Sequence, residues 1–300
     1  MNEHGVSVVI PTLNRDEFLY DSINDMLNQD FDKYEILVVD QSDNINEKVE
    51  ELVKNNPDKI RYFRNLGFKG LPQARNFGWQ NAKYEIILYI DDDIRADTNF
   101  IKNHFDNYKN NQIGIVGGKV IEQGMGSEDK VGKFLPWTFK IITNFSSNKS
   151  QFVDHVKGCN FSIRKLLLEK IDGFDETISV GAALYEELEM ILRATSSTDY
   201  KVYFDANSVL HHLVAIDGGC RVKDVPKYMF SLSHNRTLLI TRYLKWYHKI
   251  TAFLRLILLG ISYSRVDKSL YPLVSTFKGM IAGRKAGLKP VLCSNYRVKV

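Results

Sequence analysis

Cysteine is scarce: Cys159, Cys220 and Cys293 are the only three in 300 residues. Their number is odd and their spacing fits no metal-ligand set, which argues against a disulfide framework and for a reducing compartment. A leader is also missing. Met1-Asn2-Glu3-His4-Gly5 carries no basic stretch followed by an apolar core, so no secretory signal is expected. The most apolar run, 253–261, is shorter than a bilayer crossing and contains Arg255, which argues against a transmembrane helix. Acid is what the C-terminal part lacks: residues 218–300 hold 16 Lys/Arg against 2 Asp/Glu, whereas residues 1–217 hold 24 against 34. A basic, surface-seeking tail of +14 therefore follows an acidic body of −10, which suggests an anionic membrane surface rather than nucleic acid as the tail's partner. Ordinary apolar (44%) and charged (25%) fractions leave no sign of large-scale disorder and suffice for one large α/β domain with an appendage.

What is present centres on residues 84–93, Tyr-Glu-Ile-Ile-Leu-Tyr-Ile-Asp-Asp-Asp, an apolar, β-prone run that stops in three carboxylates. It predicts a buried central strand that delivers negative charge to a sheet edge, where open α/β sheets bind their ligands. Like charges so close repel unless a cation joins them, and oxygen ligation suits a hard divalent ion, Mg2+ or Mn2+. The alternative is that Asp91, Asp92 and Asp93 solvate a turn and cap a helix near Thr98.

Strands at 6–10 and 34–39 flank a helix over 17–28 with Phe18, Leu19, Ile23, Met26 and Leu27 at helical spacing. This is a βαβ unit with parallel strands, which brings Thr12 and Asp40 to the same sheet edge. A polar helix from 43–46 onward, a short strand at 60–64 and a helix over 73–82 follow. The free N–H groups of that last helix and the Arg75 guanidinium suit an anion; a surface salt bridge is the other use for Arg75. Beyond the acidic run come a helix over 99–112, a glycine-broken strand at 113–121, and an irregular stretch at 123–150 containing Trp137 and Phe139, expected to face an acceptor. A strand at 157–164, a helix over 165–171, an acidic helix start at Glu186-Glu187-Leu188-Glu189 and β segments ending in His211-His212 complete the body.

Four of these segments occur together and in order: Val6-Ser7-Val8-Val9-Ile10-Pro11-Thr12-Leu13-Asn14-Arg15, Glu35-Ile36-Leu37-Val38-Val39-Asp40-Gln41-Ser42, Ala74-Arg75-Asn76-Phe77-Gly78 and Ile90-Asp91-Asp92-Asp93. They resemble the donor half of family 2 glycosyltransferases with the GT-A fold. Gly158-Cys159-Asn160, Gly173-Phe174-Asp175-Glu176 and the Glu186-Glu187 pair resemble that family's acceptor half. The resemblance implies an α/β fold with a mixed, mostly parallel sheet flanked by helices: a GT-A domain over 1–219, donor half to about 97, then a basic helical extension over 220–300. It implies inverting transfer from a nucleotide diphosphate sugar, UDP or dTDP sugar foremost, to a saccharide or lipid-linked saccharide, at the cytoplasmic face of a membrane. In the roles it carries over, Thr12, Asp40, Arg75, Asp91, Asp92 and Asn160 bind the nucleotide sugar, Asp93 and His211 approach the metal, and Glu187 is the base. Glu187 departs from the family's usual Asp by one methylene, and three glutamates in four residues also suit a helix start electrostatically. A binding protein that kept the fold and lost turnover is the rival reading. A sugar nucleotidyltransferase would need a glycine-rich, basic amino-terminal loop that is missing.

In the tail, Leu239, Tyr243, Trp246, Ile250, Phe253, Ile257 and Ile261 fall at spacings of four and three, with Arg242, Lys245 and Lys249 on one flank. They predict one helical stripe, laid either on an anionic membrane or on the chain's own core.

Overall fold

The amino-terminal half alternates strand and helix because its strands are apolar on both faces and need cover on both. In the computed structural model, which describes residues 3–44, 47–64, 66–122, 130–215 and 222–298, the order is β1 (Glu3–Thr12), α1 (Asp16–Leu27), β2 (Tyr34–Asp40), α2 (Glu47–Asn55), β3 (Ile60–Arg64), α3 (Leu71–Asn81) and β4 (Tyr84–Ile90). The chain then adds β5 (Ile94–Ala96), α4 (Phe100–Asn107), β6 (Ile113–Ile121), β7 (Lys133–Leu135), β8 (Lys140–Ile142), β9 (Gln151–Val153), β10 (Asn160–Arg164) and α5 (Lys165–Ile171). A 3-10 turn (Glu176–Ile178), α6 (Glu186–Ser197) and β11 (Lys201–His212) come next, and α7 (Val225–Tyr243), α8 (Trp246–Val266) and α9 (Tyr271–Gly287) follow. Cys220, the expected boundary at 219/220, the start of the irregular stretch at 123–129 and residues 45–46 of the expected polar helix lie outside the described residues.

One sheet runs β3-β2-β1-β4-β10-β6-β11-β5, with β9 beside β11. The strands β3, β2, β1 and β4 are parallel, β10 is antiparallel to both its neighbours, and β6 pairs with β11 in parallel. Val8, Val9, Ile10, Leu37, Val38, Leu88 and Tyr89 are wholly buried in its centre. Helix α3 lies directly on β1: a Cβ at Gly78 would sit 2.4 Å from the Val9 side chain, so only glycine allows this approach.

The stretch 130–150 is less irregular than its composition suggests. Its β7–β8 hairpin leans on α8, where the Trp137 ring packs edge-to-face against His248 with centroids 4.5 Å apart and tilted against Tyr247 at 5.4 Å. The carbonyls of Trp137 and Thr138 accept hydrogen bonds from Thr251 and Arg255.

The tail is fastened to the body. Arg242 of α7 pairs with Asp175 at 2.5 Å, and the Tyr243 hydroxyl donates to Glu189 at 2.5 Å. After α9 the chain returns to the body: Ser294 donates from N–H and hydroxyl to Glu176 at 2.9 and 2.8 Å, and the Val298 N–H reaches Asn81 at 2.9 Å. The expected single stripe is divided, because α7 stops at Tyr243 and α8 starts at Trp246. Leu239 is core, and Phe253 and Tyr243 pack against the same cluster. The outward face of α8 is instead Trp246, Ile250, Leu254 and Leu258, one residue per turn.

Asn160 illustrates how the halves lock. Its Nδ2 donates to the carbonyls of Lys119 and Ser208, both at 3.0 Å, and its Oδ1 lies 2.8 Å from His104 Nε2. Every polar atom of this buried side chain is spent on β6, β11 and α4, so the expected nucleotide contact is corrected to a structural one. Burial keeps His104 neutral, its pKa lowered to about 4. An unfolded histidine titrates near 6.5, so between pH 6.5 and 4 the unfolded chain binds the extra proton and stability falls as pH falls. Urea unfolding at pH 7 and pH 4.5 should show a loss of about 2–3 kcal/mol from this group, absent in His104→Gln. Asn160→Ala should cost about 3 kcal/mol or more at neutral pH, because it strands His104 and two carbonyls.

Candidate active site

The acidic run ends at the sheet edge because β4 is central: β1 pairs with it on one side and β10 on the other. In register, Thr12 stands opposite Asp40 on β2. From the far side β11 pairs with β5, which sets His212 against Ile94 directly after the aspartates. Together these elements line a cleft of about 490 Å³ whose walls include Thr12, Arg15, Gln41, Asp91, Asp92, His212 and Tyr228. A second cleft of about 380 Å³ adjoins it through Gln41 and is lined by Asp40, Ser42, Phe68 and Lys69.

The three aspartates have different surroundings. Asp92 is buried, accepts from the Thr12 hydroxyl at 2.7 Å and from Arg15 at 3.0 Å, and burial still raises its pKa to about 7. Asp93 is equally buried, yet the proximity of His212, the Ala215 N–H at 2.8 Å and Arg15 at 3.3 Å outweigh burial and hold it at about 2. Asp91 is half-buried, and burial lifts it above the usual carboxylate range against the pull of Arg75.

His212, not His211, reaches this cluster. Successive strand residues face opposite sides, and the register turns His211 to solvent while His212 Nε2 lies 3.2 Å from Asp93 and 3.9 Å from Asp91. The other ring nitrogen of His212 donates to Glu122 at 2.5 Å, and Lys157 holds Glu122 in turn. Burial opposes the imidazolium, but the bonds to Asp93 and Glu122 raise its pKa to about 9. Glu122, Arg15 and His212 were absent from the expected site residues.

The donor set fits a hard divalent ion. Asp93 Oδ1 is buried and faces the His212 ring at 3.2 Å, and Asp91 and His212 offer ligand atoms within 4.8 Å of each other. Cys159 completes that cluster, but burial keeps its thiol protonated and a poor ligand for such an ion. The carboxylate oxygens suit Mn2+ or Mg2+, the imidazole favours Mn2+ of the two, and Glu122 on the far ring nitrogen is the usual outer partner of a ligating histidine.

Arg75 and the acidic helix start form a second group. Arg75 is 2% exposed, bonds Glu186 and the Gly158 carbonyl, and lies over the rings of Tyr89, Phe161 and Phe174. It serves as a buried counter-charge to Glu186, and its Nε is buried with no hydrogen-bond partner among the described residues. Asp40 is also largely committed, with Oδ1 on the Ser42 N–H at 2.7 Å and Oδ2 on the Tyr62 hydroxyl, while Arg64 stands 3.5 Å away.

Of the three glutamates, Glu186 is matched to Arg75 and Glu189 to Arg193 at 2.6 Å. Glu187 alone is half-buried and has no ion pair among the described residues. It stands beside Glu186 and within electrostatic range of Arg75 and His155. It is not among the residues that line the larger cleft, whereas Ala182, five residues before it, is. The approach to α6 is strained: Gly181, Ala183 and Tyr185 all take positive φ, at 61, 48 and 71°. Such backbone persists where the surroundings impose it, and here it orients the first turn of α6.

A parallel half joined to a β10-centred mixed half, with carboxylates and a histidine at the shared edge, is the architecture of the GT-A fold. Residues 7–171 match the model of glycosyl transferase family 2, more than half the chain, and the chain belongs to that family. It is similar to GalNAc(5)-diNAcBac-PP-undecaprenol beta-1,3-glucosyltransferase of Campylobacter jejuni, 31% identical over 169 residues that cover 55% of this chain and 53% of that one. It is 28% identical over 126 residues, 40% of this chain and 38% of the other, to the poly(ribitol-phosphate) beta-N-acetylglucosaminyltransferase TarP of Staphylococcus aureus. The chain thus spans about half the length, or less, of these curated relatives. The mannosyltransferase PcManGT of Pyrobaculum calidifontis, solved with GDP-Man and Mn2+, superposes with a TM-score of 0.56 at 14% identity over 96% of this chain and 77% of that one. GalNAc-T7 with UDP, GalNAc and Mn2+ gives 0.61 at 18% over 89% and 59%. At these identities the likeness is one of fold.

Proposed function

We propose that this protein moves a sugar from a nucleotide diphosphate sugar, a UDP or dTDP sugar, to a hydroxyl of a saccharide or lipid-linked saccharide, with inversion. The observation that carries the reading is the division among the glutamates, which leaves Glu187 as the one without an ion pair among the described residues. Glu187 takes the acceptor proton as the new bond forms, and a single displacement inverts the anomeric carbon. Asp91, Asp93 and His212 would hold the metal, which supplies positive charge against the departing diphosphate. Arg15 steadies Asp92 and Asp93, and Thr12 fixes the Asp92 carboxylate at the cleft wall.

Incubation with UDP, dTDP and GDP sugars and Mn2+ tests this through release of nucleoside diphosphate. Release is expected from at least one donor. Tight binding of nucleotide with no release from any sugar, acceptor present, would favour a binding protein on the same fold.

The outward face of α8 and α9 supports a peripheral place on the inner face of a membrane. No helix of the described residues is long and apolar enough to cross one. Trp246 (74% exposed), Ile250, Leu254 and Leu258 on α8 continue into Tyr271, Val274, Phe277 and Ile281 on α9. Lys245, Lys268, Lys278, Arg284 and Lys285 stand exposed on the same two helices and their flanks. Each basic group near an anionic surface contributes about 1 kcal/mol and is screened by salt. The protein should float with anionic vesicles at low salt, less so at high salt, and stay down with neutral ones.

A further inference from the structure

Helix α9 packs on α7 through glycines: a Cβ at Gly279, Gly283 or Gly287 would come within 2.1 to 3.0 Å of α7 backbone or side-chain atoms. This turns the larger α9 side chains away from α7, toward α8 and solvent. Helices α8 and α9 meet closely at Gly260 and Thr276. Toward the start of α8 and the end of α9 they enclose a cavity of about 670 Å³, with α7 as its floor. That is within the range of small-molecule sites, roughly 300 to 1,000 Å³.

The lining is apolar, with Phe253, Phe277, Met280, Ile281 and Leu288, and carries two cations, Lys249 and Arg284. Among the described residues no carboxylate lines it. Lys249 is anchored, donating to the Thr241 carbonyl at 2.8 Å. Arg284 is exposed and has no ion pair among the described residues. The acids of the described tail, Asp224 and Asp267, are engaged elsewhere, with the Lys227 N–H and the Ser269 hydroxyl. On the floor, Thr237 is 1% exposed and its hydroxyl has no hydrogen-bond partner among the described residues. At the mouth, Ile281 and Leu288 are themselves exposed and continue the outward apolar face.

An apolar trough rimmed by unneutralised cations and opening onto an apolar face calls for a ligand with a hydrocarbon chain and an anionic head. We propose that this cavity holds one anionic phospholipid, its acyl chain between α8 and α9 and its phosphate against Arg284 and Lys249. This deepens the reading of the α8–α9 face as membrane-facing and rests on it. A single captured lipid would fix the orientation of the protein on the bilayer, which a general charge attraction does not do.

The test separates the two readings. Monomeric dioctanoyl phosphatidylglycerol, below its critical micelle concentration and with no bilayer present, is titrated into the intact 300-residue chain by calorimetry. Dioctanoyl phosphatidylcholine and glycerol phosphate serve as probes for the chain alone and the anion alone. Saturable binding of one phosphatidylglycerol per chain is expected, at least tenfold tighter than either control. Arg284→Gln should weaken it about tenfold and Ile281→Asp should abolish it. Both positions are exposed, so both variants should keep the wild-type unfolding midpoint. Equal binding of phosphatidylcholine or of glycerol phosphate, or unchanged affinity in both variants, overturns the lipid site. Flotation with anionic vesicles but no monomer binding overturns the site and leaves the membrane face standing. Monomer binding without flotation overturns the membrane face and keeps the cavity's ligand.

Discussion

Glu187→Gln is expected to lower kcat by about 10²- to 10⁴-fold, the usual scale for loss of a general base, with the affinity for nucleoside diphosphate within a few-fold of wild type. The side chain keeps its size and loses only its ability to accept a proton, and no described ion pair depends on it. Its neighbours should behave differently. Glu186 is the counter-charge of buried Arg75, and removing one partner of a buried pair costs about 3–5 kcal/mol. Glu186→Gln should therefore appear first as a lower unfolding midpoint, as should Glu189→Gln, which strands Arg193. Glu187→Asp, restoring the family's usual residue one methylene shorter, should retain measurable turnover. Steady-state kinetics beside thermal unfolding separates the cases. A stable, inactive Glu186→Gln beside an active Glu187→Gln would move the base to Glu186 and overturn the assignment.

The donor half was legible because its strands are short apolar runs buried on both faces, each stopping in a polar residue at the same edge. Val6 to Asp40 needs little beyond that pattern and the handedness of a βαβ unit. What depended on pairing between distant segments was not legible. Whether His211 or His212 faces the cleft is decided by the register of β11 on β5, and a one-residue shift exchanges the two faces. Glu122 reaches His212 across 90 residues of sequence, through the parallel pairing of β6 with β11. Arg75 and Asn160 sit in motifs that also suit ligand contact, and only the folded arrangement shows that Asn160 and the two terminal nitrogens of Arg75 already have protein partners. The break between α7 and α8 left no mark, since the apolar spacing runs on through Leu244 and Lys245 without glycine or proline. Both residues are extended there, at ψ 142 and 151°, and this turns the chain back.

Asp93→Asn and His212→Ala should each abolish most Mn2+-dependent binding of nucleoside diphosphate, while His211→Ala changes it less than about twofold. Outer partners of a ligating histidine cost roughly 10- to 100-fold in metal affinity when removed, so loss of a ligand itself should exceed that range and Glu122→Gln should fall within it. The Asn side chain keeps an acceptor for the Ala215 N–H and removes the charge that faces His212 and Arg15, so a near-native fold is expected and the loss can be read as charge. His212 stands as an imidazolium between Asp93 and Glu122, and coordination requires the Nε2 proton to leave. Binding of Mn2+ should therefore release a proton near neutral pH in the wild type and not in His212→Ala. Calorimetry with UDP present, in two buffers of different ionisation enthalpy, reads affinity and proton release together. Equal Mn2+ affinity in wild type and Asp93→Asn would remove the metal from this edge, leaving Arg15 as the cation that serves the aspartates.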